Sequence, residues 1–214
     1  MTSGDPALAR AVAPLAPPGV LVAVQRVAGT QSESLMASEA VMLADAAPRV
    51  RQRSAAARHA ARRLLRRLGV PPCEILKDPA GRPVWPTGIV GSLAHDDDYA
   101  IAVVAPSSAG LGGLGVDIEP AEPLPAEIVH LVLTSAEHRH CGGDLLLARL
   151  LFVIKEAVYK AVNPADNVFL DFHDVVVDLA TGQARTRTGR TVAFAATIQP
   201  RLVAIARWTP IAGR

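Results

Sequence analysis

The chain has little cysteine, few aromatic residues and almost no net charge over its 214 residues. Its two cysteines, Cys73 and Cys141, cannot form a disulfide framework for a chain of this length, and neither belongs to a C-x-x-C motif typical of zinc or redox sites. The net charge of +2 argues against a surface that traps nucleic acid over its whole area, because such a surface needs a large excess of positive charge. We therefore expect a cytoplasmic protein without a nucleic-acid partner.

Long apolar runs are also missing. No segment approaches the ~20 apolar residues that are needed to cross a bilayer, and the apolar stretch at 7–24 is interrupted by Pro14, Pro17 and Pro18. A secretory signal would require a basic segment before it, which this chain does not have. We predict a loose arm that leads into a strand at 20–27, and no membrane partner.

What the sequence does contain is an alternation of helical and extended patterns. We predict helices over 34–45, 51–68 and most of 125–163, and strands over 20–27, 89–95, 99–105 and 114–119, followed by strands and turns over 174–198 and 201–208. Both halves run from helix to strands, and they join near 107–113.

The segment GLGGLGVDIEP, at 110–120, has two incompatible interpretations. Gly110, Gly112 and Gly115 form a G-x-G-x-x-G motif, but a dinucleotide loop must open into a helix, and here a strand and prolines follow. We therefore interpret the glycines as a linker, with a nucleotide-binding oxidoreductase as an open alternative. Because strand side chains alternate, Asp117 and Glu119 should share one face. Alone, such a pair is typical of a solvated strand face.

A third carboxylate comes from FVIKEAVYKA, at 152–161. On a helix, Phe152, Glu156 and Lys160 lie close to one face, and Lys155 flanks them. This pattern could be only an exposed Glu156–Lys160 pair. Beside the D-x-E strand, however, three carboxylates suit Mg²⁺, or Mn²⁺, which prefers oxygen ligands and often binds with substrate phosphates.

A basic stripe, Arg58, Arg62 and Arg66, runs along the second predicted helix, and no acidic residue occurs between Asp45 and Glu74. This stripe is either a solvated helix face or a site that binds a polyanion. The more specific hypothesis is a bound nucleotide phosphate, because a guanidinium can donate two parallel hydrogen bonds to phosphate oxygens. A DNA-binding regulator competes, although interleaved aromatics are missing. The polar cluster at 137–141 is interpreted as a surface rather than a zinc site, because its spacing spreads the side chains over different faces.

Four motifs stand in a recognisable order. They are RSAAARHAARRLLRRLG, AGRPVWP, GSLAHDDDYAIAVV, and GVDIE followed about thirty-five residues later by FVIKEAVYK. Together they cover roughly 49–163, and in this order the chain resembles the 4′-phosphopantetheinyl transferases of the surfactin and enterobactin synthetase type. The resemblance implies an α+β fold of two similar α/β halves, an N-terminal half, 1–108, and a C-terminal half, 109–214. The halves would be related by a pseudo-two-fold axis, with coenzyme A and Mg²⁺ in the cleft between them.

The same resemblance implies roles for individual residues. The metal ligands would be Asp117, Glu119 and Glu156. The catalytic residues would be Glu156, Lys160 and His95. Coenzyme A would be contacted by Arg58, Arg62, Arg82, Ser92, His95, Lys155 and Lys160. The chain departs from the family at Ala94, where a serine or threonine is usual, at Phe152, where many members have tryptophan, in the QRSAAAR lead-in that replaces E-F-x-x-G-R, and in a shorter segment after 185.

The implied activity is transfer of 4′-phosphopantetheine from coenzyme A to a serine of an acyl or peptidyl carrier protein, by a monomeric enzyme of fatty acid, polyketide or peptide assembly. Glu156 or a metal-bound water would accept the serine proton. The alternatives are a coenzyme A or nucleotide-binding module without transfer, and the DNA-binding regulator.

Overall fold

The structure is a computed structural model that describes residues 5–28 and 34–210. The chain divides into two compact units, the first ending at Ala109 and the second beginning at Gly110, and each is described by itself. In the described ranges, no helix has the length and apolar character that crossing a membrane requires.

Unit 1 is a three-stranded antiparallel sheet with a long helix packed on it. Its elements are α1 (Pro6–Val12), β1 (Leu21–Arg26), α2 (Ala37–Met42), α3 (Pro48–Arg67), β2 (Ile89–His95) and β3 (Tyr99–Pro106). The strand order is β1-β3-β2, so that β3 is central and buried from Tyr99 to Ala105. The apolar face of α3 packs on β3 through Ala60, Ala61, Leu64 and Leu65, against Ala102 and Val104. Burial of this face holds the helix against the sheet.

The predicted loose arm is wrong, because residues 6–12 form helix α1. The Asp5 carboxylate accepts hydrogen bonds from the backbone N–H groups of Ala7 and Leu8, and Pro6 occupies the first turn. Both features favour a helix start, since the side chain satisfies N–H groups that have no partner inside the helix. Leu8 and Val12 are fully buried, which anchors the helix to unit 1.

Unit 2 is a five-stranded antiparallel sheet with strand order β4-β8-β7-β6-β5. Its elements are β4 (Gly113–Pro120), α4 (Val129–Val132), α5 (Ser135–Cys141), α6 (Leu145–Asp166), β5 (Val175–Asp178), β6 (Gln183–Thr186), β7 (Thr191–Thr197) and β8 (Arg201–Trp208). Helix α6 lies on β4 and β8. The α+β class is confirmed, and the pseudo-two-fold relation stays a prediction.

The linker interpretation is wrong for Gly115, whereas Gly110 and Gly112 do lie in the connection between β3 and β4, where the first unit ends and the second begins. Gly113 and Gly115 lie inside β4, where a Cβ on Gly115 would be 1.9 Å from the carbonyl oxygen of Ala157, and one on Gly113 would be 2.0 Å from that of Ala161. Only glycine permits this approach of strand and helix backbones. Because alternate residues share a face, the close contact also points Asp117 at α6.

Candidate active site

A cluster of charged side chains forms where β4 faces α6. Asp117 and Glu119 stand opposite Ala204 and Leu202 of β8, at alternate positions of the strand and therefore on one face. Helix α6 contributes Glu156 and Lys160, which are one turn apart. The Lys160 Nζ donates a hydrogen bond to Asp117 Oδ1 at 2.6 Å. The structure therefore joins the predicted strand and helix motifs in one place, which we call the carboxylate cluster: Asp117, Glu119, Glu156 and Lys160.

The charges of the carboxylate cluster act on one another. Burial raises the pKa of Glu156, and the nearby charge of Asp117 adds to this, while Lys160 partly offsets it. Burial opposes the charged form of Lys160, but the fields of Asp117, Glu156 and Glu119 together outweigh it and raise the pKa of the lysine. The cluster is therefore electrostatically coupled.

The cluster has the donor chemistry of a Mg²⁺ site without a complete set of ligands. Over 5–28 and 34–210, no group of three His, Cys, Asp or Glu side chains has the geometry to hold a metal ion. Carboxylate oxygens are nevertheless what Mg²⁺ prefers, and it usually takes one or two protein carboxylates together with substrate phosphates. The donor set thus fits an ion that binds together with a phosphate ligand.

Sequence reasoning missed a second cation at the cluster, Arg149 of α6. Its Nη2 lies 3.7 Å from Glu119 Oε2, and its Nη1 lies 3.9 Å from Glu122 Oε2. The signal was available in the spacing, because Arg149 precedes Glu156 by seven residues, or two helical turns.

Lys155 lies in quite different surroundings from Lys160. Its side chain is fully buried, and its Nζ donates to Glu137 Oε2 at 2.7 Å, to the carbonyl of Val132 at 2.8 Å and to that of Phe172 at 2.9 Å. An ammonium has three N–H donors, and these contacts use all of them. The predicted contact of Lys155 with coenzyme A is therefore not what the structure shows.

Glu137 completes this buried pair, and its prediction as a surface residue is wrong. It is 6% exposed and accepts hydrogen bonds from the backbone N–H groups of Thr134 and Val177 at 2.8 and 3.1 Å. Burial lowers the pKa of Lys155, although Glu137 favours the charged form. The pair ties α5 and β5 to α6, immediately before Glu156.

In unit 1, two of the predicted phosphate ligands, Arg58 and Arg62, are likewise hydrogen-bonded to acceptors in the core. Arg58 is buried, and its Nε donates to the carbonyl of Ile75 at 2.8 Å. Arg62 donates to both carboxylate oxygens of Glu39, at 2.7 and 3.0 Å, and to the carbonyl of Ser34 at 2.6 Å. Glu39 is fully buried. The predicted nucleotide contacts of Arg58 and Arg62 are not the contacts that the structure shows.

The remaining predicted residues lie around β2 and the turn before it. Arg82 donates to Asp78 at 2.6 Å. Ser92 is buried and His95 is exposed, and their spacing along β2 puts them on opposite faces of the strand. The structure therefore does not bring Ser92 next to His95, and Ala94 is buried on the same face as Ser92.

Sequence reasoning also missed two arginines that lie next to the turn between β2 and β3, which follows His95. Arg49 and Arg53, in the first turns of α3, both pair with Asp97, Arg49 at 3.7 Å and Arg53 more closely. Asp97 is about half exposed, at 54%. The Nε of Arg53 is buried, and the described residues offer it no hydrogen-bond acceptor. Arg49, Arg53 and the exposed His95 form a basic group that is more accessible than Arg58 and Arg62, since the side chains of Arg49 and Arg53 are 67% and 23% exposed and those of Arg58 and Arg62 only 3% and 11%.

Two family models match the chain. One, described as the 4′-phosphopantetheinyl transferase N-terminal domain, matches residues 38–105. The other, described as the 4′-phosphopantetheinyl transferase superfamily, matches residues 113–206 and includes the whole carboxylate cluster.

Named proteins are similar over much of the chain. The 4′-phosphopantetheinyl transferase PptT of Mycobacterium tuberculosis is 38% identical over 72% of this chain and 69% of its own length. The 4′-phosphopantetheinyl transferase Svp of Streptomyces mobaraensis is 38% identical over 65% and 59%, respectively. Enterobactin synthase component D of Salmonella typhimurium is 32% identical over 69% and 62%. The chain thus spans less than two thirds of the last two relatives. The family predicted from the motifs is confirmed: the chain belongs to the 4′-phosphopantetheinyl transferase superfamily of enzymes.

Proposed function

We propose that this chain transfers the 4′-phosphopantetheine group of coenzyme A to a serine hydroxyl of an acyl or peptidyl carrier protein and releases adenosine 3′,5′-bisphosphate. The observation that carries the proposal is the carboxylate cluster, in which Asp117, Glu119 and Glu156 meet Lys160 within the part of the chain that matches the superfamily.

Charge neutralisation is what phosphoryl transfer mainly requires from a protein, together with positioning of the reactants. Asp117, Glu119 and Glu156 would hold Mg²⁺, or Mn²⁺, which supplies positive charge to the diphosphate of coenzyme A when bound. Lys160 adds a protein cation. Of its three N–H bonds, one is directed at Asp117, and the described residues provide no other acceptor. The other two are available for phosphate oxygens.

The attacking serine must lose its proton as the new P–O bond forms. Glu156 is half-buried, and burial raises the pKa of its carboxyl, which makes it a stronger proton acceptor than an exposed carboxylate. A water molecule is the alternative proton acceptor, and the sequence already left this choice open.

The nucleotide end of coenzyme A we assign to the accessible basic group of unit 1, Arg49, Arg53 and His95. Both arginines pair with Asp97, which is half exposed, and a phosphate can replace such a partner at a small cost in free energy. Arg58 and Arg62 would have to abandon buried acceptors, and a buried acceptor left without its donor costs roughly 1–3 kcal/mol. We further propose a cytoplasmic monomer that serves fatty acid, polyketide or peptide assembly.

Intact mass spectrometry tests the proposal. The chain is incubated with coenzyme A, Mg²⁺ and a panel of apo carrier proteins, and the expected result is the addition of one phosphopantetheine to the carrier serine. A carrier with serine replaced by alanine should stay unmodified, and so should wild-type carrier without Mg²⁺. If coenzyme A binds but several natural carriers stay untouched, the chain is a coenzyme A-binding module. If coenzyme A does not bind either, the proposal is wrong.

A further inference from the structure

The guanidinium of Arg149 forms no hydrogen bond with the part of the chain that the structure describes. Its side chain is only 17% exposed, and its Nε is buried. Within 5–28 and 34–210, the contacts of Arg149 are the two ion pairs with Glu119 and Glu122, at 3.7 and 3.9 Å, and no acceptor lies within hydrogen-bonding reach of Nε. These separations exceed the 2.7–2.9 Å that is usual for a charged N–H···O bond.

Other arginines of the same unit behave differently. Arg187 donates to Asp174 at 2.7 Å, although its side chain is 60% exposed. In this unit, a surface arginine with a carboxylate partner therefore reaches the hydrogen-bond distance that Arg149 does not. The two distant ion pairs of Arg149 therefore leave its buried Nε without an acceptor, which is unfavourable because the N–H group has lost its water.

The position of Arg149 on α6 says what could satisfy it. Arg149, Glu156 and Lys160 follow one another at spacings of seven and four residues, so that they form a stripe along one face of the helix. Lys160 contacts Asp117, and Arg149 approaches Glu119, two residues further along β4. The carboxylate cluster thus has a cation at each end. Asp117 and Glu119 are two residues apart on the strand, and at a rise of about 3.3 Å per residue this separation is roughly the length of a diphosphate.

We propose that Arg149 is a further substrate-binding residue, which binds the diphosphate of coenzyme A at the Glu119 end of the cluster, opposite Lys160. A guanidinium presents a rigid fork of N–H donors that matches two phosphate oxygens, whereas the acidic residues near it are held at a distance. Its neighbour Glu119 is the residue that Mg²⁺ would engage, which leaves the guanidinium to the phosphate. The inference rests on the proposed function.

The test uses inorganic pyrophosphate with Mg²⁺ as the probe, in the full chain, by calorimetry. Arg149→Gln should weaken pyrophosphate binding about ten- to hundredfold, the range for one charge-assisted contact. Arg149→Lys should restore it only in part, because a lysine cannot form the two-pronged contact. Arg187→Gln is the matched control, since it removes another carboxylate-paired arginine of the same unit, and it should bind as the wild type does.

A second readout separates binding of phosphate from support of Glu119. Mn²⁺ binding without phosphate, followed by electron paramagnetic resonance, should be unchanged in Arg149→Gln. Equal loss of Mn²⁺ and pyrophosphate binding would make Arg149 a positioning residue for Glu119 and overturn the inference. So would wild-type pyrophosphate affinity in both Arg149 variants. If the wild type transfers phosphopantetheine and Arg149→Gln binds pyrophosphate normally, this inference alone fails. A wild type that binds neither coenzyme A nor pyrophosphate ends the proposed function as well.

Discussion

Two lysines of helix α6, five residues apart, make the same ammonium–carboxylate contact in opposite surroundings. Lys155 is fully buried and uses all its donors on Glu137 and two carbonyls. Lys160 is 30% exposed, and among the described residues its Nζ is hydrogen-bonded to Asp117 alone. The difference separates a lysine that holds the helix in place from one that can change partners, and it is the second that we propose as the substrate-binding residue.

Unit 1 repeats the contrast with arginines on α3. Arg58 and Arg62 reach buried acceptors around Glu39, whereas Arg49 and Arg53 meet the half-exposed Asp97. In both units, the buried member of the comparison lies within the run that carries the family motif. Membership of a motif therefore does not by itself mean contact with the substrate.

The largest effect is expected from the carboxylates. Asp117→Asn or Glu156→Gln should lower the transfer rate by about a thousandfold or more, because neutralisation of one preorganised electrostatic group often costs that much. Both substitutions keep the side-chain shape, and circular dichroism should show a retained fold. Transfer at the wild-type rate by either variant, in the presence of excess chelator, would end the metal assignment.

The two lysines should separate in stability. Lys155→Met should lower the free energy of unfolding of unit 2 by about 3–5 kcal/mol, because it leaves Glu137 charged and buried without its partner. The double variant Lys155→Met with Glu137→Gln should recover part of that loss. Lys160→Met, the matched change at the cluster, should cost less, because the Lys160 side chain is 30% exposed whereas that of Lys155 is fully buried. Urea denaturation measures all three, and equal losses for Lys155→Met and Lys160→Met would remove the distinction.

The glycines of β4 should matter for the approach of α6. Gly115→Ala places a Cβ 1.9 Å from the carbonyl oxygen of Ala157, so that strand and helix must separate. We expect a loss of about 1–3 kcal/mol in stability, the range for overpacking. Gly143→Ala is not a fair control because of its positive φ of 92°. Ser107→Ala is better, since Ser107 is exposed outside unit 2, and its melting temperature should be that of the wild type.

The smallest effects are expected at the arginines of α3. Arg53→Gln should weaken coenzyme A binding about tenfold, as the loss of one charge-assisted contact predicts. Arg62→Gln should instead lower stability modestly, because Glu39 loses Arg62 but keeps the hydrogen bond from the Ile75 N–H and the ion pair with Arg58. Calorimetry with coenzyme A and with dephospho-coenzyme A tests which arginines contact the 3′-phosphate. Unchanged affinity in Arg53→Gln would favour the contacts of Arg58 and Arg62 that the sequence predicted.

Local patterns predicted much of the fold and of the carboxylate cluster. The strand at 114–119 and the helix around Glu156 follow from alternation and helical spacing, and both motifs meet in the structure. Partners distant in sequence could not be seen in this way. Arg62 and Glu39 are 23 residues apart, so that a search for acidic residues near the arginines in sequence missed Glu39. Lys155 and Glu137 are 18 residues apart, and the spacing of the polar residues around Glu137 wrongly placed it at the surface.

The central claim, that Lys155 holds α6 while Lys160 acts on the substrate, is tested most directly by transfer rates of folded variants. Intact mass spectrometry follows the conversion of an apo carrier by Lys160→Met and by the double variant Lys155→Met with Glu137→Gln, each at equal folded concentration. The account predicts that the double variant keeps most of the wild-type transfer, whereas Lys160→Met, although stable, loses it. Transfer by Lys160→Met together with an inactive, fully folded double variant would contradict the account.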